Sequence, residues 1–309
     1  MVRWLLFVLA LLTFAGKTNA AGPEIVRTGV YVQDVYDLDP KTSSYSVYFY
    51  LWFRWKGPID PSKFELMNGT ILQRMPPYVS KVGDENYLTL PIRARLHGHF
   101  NYSKYPHDRQ ELRIVIEDSV YGHESLVYSL DQKDSGQNAD LELEDYQIGK
   151  MQLSVETDVY KTDWGQGSGN SDTEFSRFLV NIPIRHGGVP LFLKTYMAMF
   201  IATAIGFLCL LIPTRHVEAL FVIGVGSIFG VVSSWVVYSN SIPVSSRMSS
   251  GDMLHLASLL FVFMSLAVSC IGSWMLEKED GREKANRLAR RAVFVFVPLY
   301  VLVSVWLSL

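Results

Sequence analysis

The chain has 309 residues, 49% of them apolar, with 28 Lys and Arg against 30 Asp and Glu and a formal charge of −2. A balance this close to neutral, with no basic block, excludes nucleic acid as the expected partner. The average conceals a polar, aromatic-rich half to about residue 190 and a strongly apolar half after it, so one extramembrane domain and one membrane domain are expected.

The N-terminus reads Met1-Val2-Arg3, an apolar run from Trp4 to Ala15, and small residues through Thr18-Asn19-Ala20. This is the pattern of a secretory signal over 1–21, too short for a stop-transfer helix, and it places the following domain, 22–190, outside the cytoplasm. From Glu24 to Trp55 the chain alternates with period two around a turn predicted at Asp37-Leu38-Asp39-Pro40. Val47, Phe49, Leu51 and Phe53 share one parity, while Tyr48, Tyr50, Trp52 and Arg54 share the other, which predicts a strand with one face in a core. Further alternating runs lie at 87–96, 110–116, 146–159 and 175–184, and no helical period competes. The expected fold here is all-β, an antiparallel immunoglobulin-like sandwich. It has no disulfide, because Cys209 and Cys270 both fall in later apolar spans. The turn-rich stretch 163–172 predicts a hairpin tip, a place where binding residues tend to sit.

Four apolar spans predict helices at 191–212, 217–238, 253–276 and 292–309, each suited to a hydrocarbon core of about 30 Å. The chain is thus expected to be an α+β membrane protein, with a four-helix transmembrane bundle over 191–309. Arg215 and the stretch 277–291, with six Lys or Arg against four Asp or Glu, would lie in the cytoplasm by the positive-inside rule. Together with the signal this predicts a multi-pass protein of the plasma (inner) membrane with a periplasmic or extracellular N-terminal domain.

In the second helix, steps of three and four from Glu218 visit Val222, Val225 or Gly226, Phe229, Ser233, Val236 and Asn240, a stripe that includes the helix's few polar groups. Gly226 and Gly230 form a GxxxG pair. Two readings stand side by side. Either Glu218 is an interfacial residue favoured by the helix dipole and the glycines serve packing, or Glu218 from several subunits forms a carboxylate ring at the cytoplasmic mouth of a cation pore.

The segments Tyr105-Pro106-His107-Asp108-Arg109-Gln110, Thr28-Gly29-Val30-Tyr31, Tyr36-Asp37-Leu38-Asp39 and Trp52 to Trp55, with the span from Glu218 to Ser241-Ile242-Pro243, resemble a pentameric ligand-gated ion channel of the Cys-loop receptor superfamily. The form resembled is the prokaryotic one without the cysteine pair, and the resemblance covers nearly all of 22–309. It implies a homopentamer in a lipid bilayer, a pore lined by Glu218, Val222, Gly226, Phe229, Ser233 and Val236, permeating cations, and a small-molecule or ion agonist bound between neighbouring sandwiches. On matching positions it implies a ligand site with Tyr50 on the second strand, Tyr121 and His123 in the loop 119–126, and Tyr160 and Trp164 in the hairpin 160–174. Coupling to the pore would use Asp39, Tyr105, Pro106, Asp108, the pre-helix Arg185 and Pro243, with a carboxylate–guanidinium pair as the oriented contact. The chain departs from the family in being shorter between Trp55 and Tyr105, in lacking a Trp-x-Pro segment there, in its apolar stripe, and in Lys194 on the first helix. The apolar stripe and shortened segment motivate an alternative, a non-conducting pentameric ligand sensor or scaffold.

Other constellations are weaker. His97 and His99 share a strand face and could seed a metal site, and Asp134, Asp140, Glu142, Glu144 and Asp145 could offer oxygen ligands to Ca²⁺, but a solvated surface is the expected role of both. His107 and His123 are candidates for proton sensing. No Gly-x-Ser-x-Gly, no His-Glu-x-x-His and no cysteine nucleophile outside the apolar spans is present, so neither an enzyme nor a cofactor is expected.

Overall fold

Hydrophobic alternation builds the first half as strands. The computed structural model describes residues 22–165, 172–186, 188–213, 215–243, 247–276 and 281–308; the segment 1–21, read above as a signal, lies outside them. The strands are β1 (Glu24–Asp39), β2 (Ser44–Trp55), β3 (Phe64–Leu66), β4 (Gly69–Arg74), β5 (Tyr78–Val82) and β6 (Glu85–His97). They continue with β7 (Arg109–Asp118), β8 (Leu126–Leu130), β9 (Gly136–Gln137), β10 (Tyr146–Ile148), β11 (Gln152–Tyr160) and β12 (Thr173–His186). One sheet runs β4-β6-β2-β1-β8, with β5 on β6 and β9 on β1; the other runs β10-β12-β7-β3, with β11 on β12. Val47, Phe49, Leu51 and Phe53 are fully buried between the sheets, against Ile114, Ile116, Phe178 and Val180. The Tyr45 hydroxyl crosses the sandwich to donate to the Arg113 carbonyl at 2.5 Å.

Three features differ from the sequence expectation. The sandwich is not wholly antiparallel, because β8 and β9 both pair with β1 in parallel. The turn after β1 falls at 40–43 rather than 37–40; the chain passes through an irregularity between Tyr36 and Asp39, with Asp37 at φ 52°, and keeps pairing to Asp39↔Ser44. The run 146–159 is broken at 149–151. There β12 presents Pro183, which lacks an N–H to continue the ladder, and a Cβ on Gly149 would stand 2.8 Å from the Pro183 ring.

The second half holds α1 (Gly188–Leu208), α2 (Val217–Ser241), α3 (Ser250–Met275) and α4 (Gly281–Ser308), each long and apolar enough to cross a membrane. The last begins eleven residues before the apolar run it was predicted from. Its first turns, Arg282 to Arg291, are made of strong helix formers apart from Asn286, and Glu283 pairs with Arg287 at 2.7 Å one turn on. Among the described residues α3 packs against all three other helices. Buried hydroxyls of Thr203, Ser227, Ser258 and Ser265 each donate to the carbonyl four residues earlier, so these small polar side chains pack without orphaned groups.

The loop 98–108 joins the two halves. Tyr102 is buried among Tyr196, Met199, Tyr238, Ile242 and Leu254 of the bundle. The Tyr196 hydroxyl donates to the Tyr105 carbonyl at 3.1 Å, and the Ser250 N–H donates to the Ser103 carbonyl at 2.8 Å. The Tyr105–Pro106 peptide bond in this loop is cis.

Candidate functional site

The α2 stripe stands free of its own chain. At about 100° per residue, Glu218, Val222, Gly226, Phe229, Ser233, Val236 and Asn240 fall on one side of the helix, and all are exposed. Leu220, Gly224, Ser227, Val231, Ser234 and Tyr238 fall on the opposite side and are buried. Val222, Phe229 and Val236 keep 69%, 67% and 56% of their surface open. Exposed positions on the other helices include the large apolar Ile201, Leu260, Phe263 and Leu302, with Lys194 on α1 and the charged first turns of α4 also exposed; the α2 stripe carries Glu218, Gly226, Ser233 and Asn240. Glu218 lies in the first turn of α2, where the helix dipole favours a carboxylate. The two GxxxG glycines differ in role. A Cβ on Gly230 would stand 2.8 Å from Ala202 of α1, while one on Gly226 would meet nothing within 4 Å.

A cleft of about 1010 Å³ opens between the β7–β8 loop and the β11–β12 hairpin. It contains His123, Tyr160 and Trp164 of the predicted ligand set, and the hairpin's tip, 166–171, lies outside the described residues. The His123 N–H donates to the Glu174 carbonyl at 2.8 Å and ties the loop to the hairpin. The Tyr160 ring meets Trp164 at a tilt and Phe175 edge-on, with centroids 5.4 and 5.8 Å apart. Tyr121 turns inward to pack on the sandwich core, and Tyr50 stands on the other sheet, its hydroxyl 3.0 Å from that of Tyr48. The cleft lining carries seven carboxylates, among them Glu117, Asp118, Glu124 and Glu174, and no Lys or Arg among its described residues.

Two of those carboxylates, both missed by sequence reasoning, are built in. Asp118 is 1% exposed; its Oδ1 accepts the N–H groups of Val120 and Tyr121 at 2.8 Å, and its Oδ2 has no partner. Burial pushes its pKa above the ordinary carboxylate range, against the pull of those two N–H groups. Glu117 is raised by burial as well, with Arg177 pulling the other way. Arg177 holds Glu117 at 2.8 Å and Asp158 at 2.6 Å, and also donates to the Tyr160 hydroxyl, which burial pushes up to about 12. The available signal was a buried apolar run, Ile114 to Ile116, ending in two adjacent carboxylates.

The domain junction re-pairs the predicted coupling residues. Asp108 is bound by His186 at 2.6 Å, with Gln110 donating to its other oxygen at 2.6 Å. The expected guanidinium partner is absent from this contact: Arg185 faces outward and its Nε donates to Gln147 at 2.9 Å. Strand parity explains the exchange, since Ile184 and His186 share the side of β12 that meets the junction and Arg185 lies on the other. Asp39 caps its own turn, accepting from the Lys41 N–H and the Thr42 hydroxyl, and these bonds lower its pKa, the Thr42 bond most. Pro243 borders a cavity of about 690 Å³ with Ser43, Tyr102 and Ser103, so the α2 exit and the junction loops face one space.

No protein-family model matches this chain, and no curated protein matches it.

His255 of α3, also missed, is fully buried, within reach of the Ser234 hydroxyl at 3.3 Å and the Gly251 carbonyl at 2.8 Å. Among the described residues no three His, Cys, Asp or Glu side chains converge as a metal site, and this covers the His97–His99 pair and the acidic stretch around Asp140.

Proposed function

We propose that the chain is a homopentameric, cation-preferring ligand-gated channel of the inner or plasma membrane with its sandwich on the outer side. The observation that carries the reading is the α2 stripe, which holds the polar groups Glu218, Ser233 and Asn240 on a face its own chain leaves uncovered. Lipid gives no reason for those groups, whereas a water-filled axis shared by several copies does. Glu218 sets charge preference at the cytoplasmic mouth, Phe229 and Val236 form a hydrophobic gate, and Ser233 is a polar step between them.

The agonist class follows from the cleft. Seven carboxylates beside Tyr160, Trp164 and Phe175 form a site for a small organic cation, held by charge and by aromatic faces. The unpartnered Asp118 Oδ2 supplies an acceptor without a donor. Tyr50 would complete the site from the neighbouring subunit. The signal reaches the pore through the Asp108–His186 pair and the Tyr102 loop.

Val222, Phe229 and Val236 favour a second reading, a pentamer whose apolar ring never wets. Bilayer recording of the purified protein and of Phe229→Ser, scanning small amines, pH and Ca²⁺, with subunit number from native mass, separates the two. Current from either protein supports the channel. A pentamer silent in both forms supports the scaffold, and a monomer rejects both.

A further inference from the structure

A groove of about 1400 Å³ crosses the face of the β10-β12-β7 sheet turned away from the sandwich core. Its polarity is opposite to that of the acidic cleft. Arg109, Arg113, Arg177 and Arg185 line it with His97 and His99, and Glu111 is its one carboxylate among the described residues. Two of the arginines are already neutralised: Arg113 holds Glu111 at 2.6 Å, and Arg177 holds Glu117 and Asp158. Arg109 and Arg185 have no carboxylate partner among the described residues.

These two arginines are direct cross-strand neighbours in the β7–β12 ladder. Side chains so placed leave the sheet on the same face with Cβ atoms about 5 Å apart, and like charges in that position destabilise the sheet. A guanidinium pair without a carboxylate offers a forked array of N–H donors matched to a tetrahedral or planar oxyanion. The Arg185 fork is also oriented, since its Nε is held by Gln147 Oε1 at 2.9 Å, which leaves its terminal nitrogens to a ligand. The pair sits at the membrane end of the sandwich, Arg185 three residues before α1 begins at Gly188 and Arg109 directly after the junction residue Asp108.

We infer that Arg109 and Arg185 form an oxyanion site that takes a phosphate group, from a phospholipid headgroup or from solution. The site is separate from the acidic cleft and from the α2 stripe, and it stands whether or not the chain conducts.

The test is isothermal titration of the full chain in a zwitterionic detergent with inorganic phosphate against chloride at matched ionic strength. A second arm reads lipid retained by native mass spectrometry from nanodiscs of phosphatidylglycerol or phosphatidylcholine. Saturable phosphate binding assigns a soluble ligand, and selective retention of phosphatidylglycerol assigns a headgroup; either supports the site. Arg109→Gln and Arg185→Gln are each expected to weaken binding about tenfold, the loss of one charge-assisted contact, while Arg113→Gln stays within about twofold. Gln147→Leu, which removes no charge, is expected to weaken binding as well, and it keeps the test valid if an arginine variant fails to fold. Binding in neither arm, equal loss in Arg113→Gln, or unchanged binding in Arg109→Gln, Arg185→Gln and Gln147→Leu would each overturn the assignment.

Discussion

His186 Nδ1 lies 2.6 Å from a carboxylate oxygen of Asp108, and both side chains are buried where the sandwich meets the helices. The Tyr146 and Tyr105 rings pack on the same imidazole at 3.9 and 5.1 Å, so this pair, and not Arg185, fixes the strand that leads into α1. Removing the imidazole leaves Asp108 with Gln110 as its side-chain donor. His186→Ala is therefore expected to cost about 1–3 kcal/mol, the usual result of stripping a buried acceptor, while the exposed Arg185→Ala stays within about 0.5 kcal/mol. Thermal midpoints of both variants in phosphate-free detergent would check this, and equal losses would return the junction to Arg185.

Burial of Asp118 sets the expected sign of a pH dependence in the cleft. Its carboxyl is raised by burial in the folded protein. Below the ordinary carboxylate range both states are protonated and the group contributes nothing; as pH rises, the unfolded chain releases its proton first, so stability falls until the raised folded pKa is passed. Asp118→Asn is expected to remove that part of the slope. Thermal midpoints against pH for wild type and variant give the comparison, and superimposable slopes would show that the carboxyl is not raised.

The same linkage bears on the proposed agonist. A cation favours the ionised carboxylate, so amine affinity is expected to rise with pH over the window in which Asp118 titrates, and to lose that dependence in Asp118→Asn. Titration of an aromatic-seeking amine such as a quaternary ammonium is the measurement. An affinity that falls with pH, or one unaltered by the substitution, would separate Asp118 from the ligand.

Strand parity and apolar length made most of the architecture readable. The inward face of β2 and the four helices follow directly from period two and from spans of about 20 residues. What escaped depends on partners distant in sequence. Nothing near Gly149 announces that Pro183 lies across from it, and nothing in Arg185-His186 says which of the two faces Asp108 until the register of β12 is set. β3, β4, β5, β8 and β9 were missed because two to six residues carry too little alternation, and β4 and β5 are largely exposed. Of the predicted ligand residues, His123, Tyr160 and Trp164 line one cleft and Tyr50 and Tyr121 do not, whereas the buried Glu117 and Asp118 looked like the polar end of a strand.

In the channel reading the glycines of α2 separate packing from pore. Gly230→Ala would drive a methyl group to 2.8 Å from Ala202 and is expected to cost about 1–3 kcal/mol, as overpacking does. Gly226→Ala meets open space, so it should leave the thermal midpoint unchanged or raise it slightly while lowering single-channel conductance. A stable Gly226→Ala protein with unaltered conductance would move this position off the pore axis.

Charge preference is carried by one residue per subunit in this reading. Glu218→Gln is expected to shift the reversal potential in a salt gradient toward that of a non-selective pore, and a reversal potential equal to wild type would remove Glu218 from selectivity.

The central claim is that the uncovered face of α2 meets water. Its most direct test places a cysteine at Ser233 in a background lacking Cys209 and Cys270, with Leu302→Cys on the apolar face of α4 as control, and applies a charged, water-soluble thiol reagent during bilayer recording. The account predicts progressive block of current at position 233 and none at 302. Current that persists unchanged at 233 under conditions that modify a soluble thiol would contradict it.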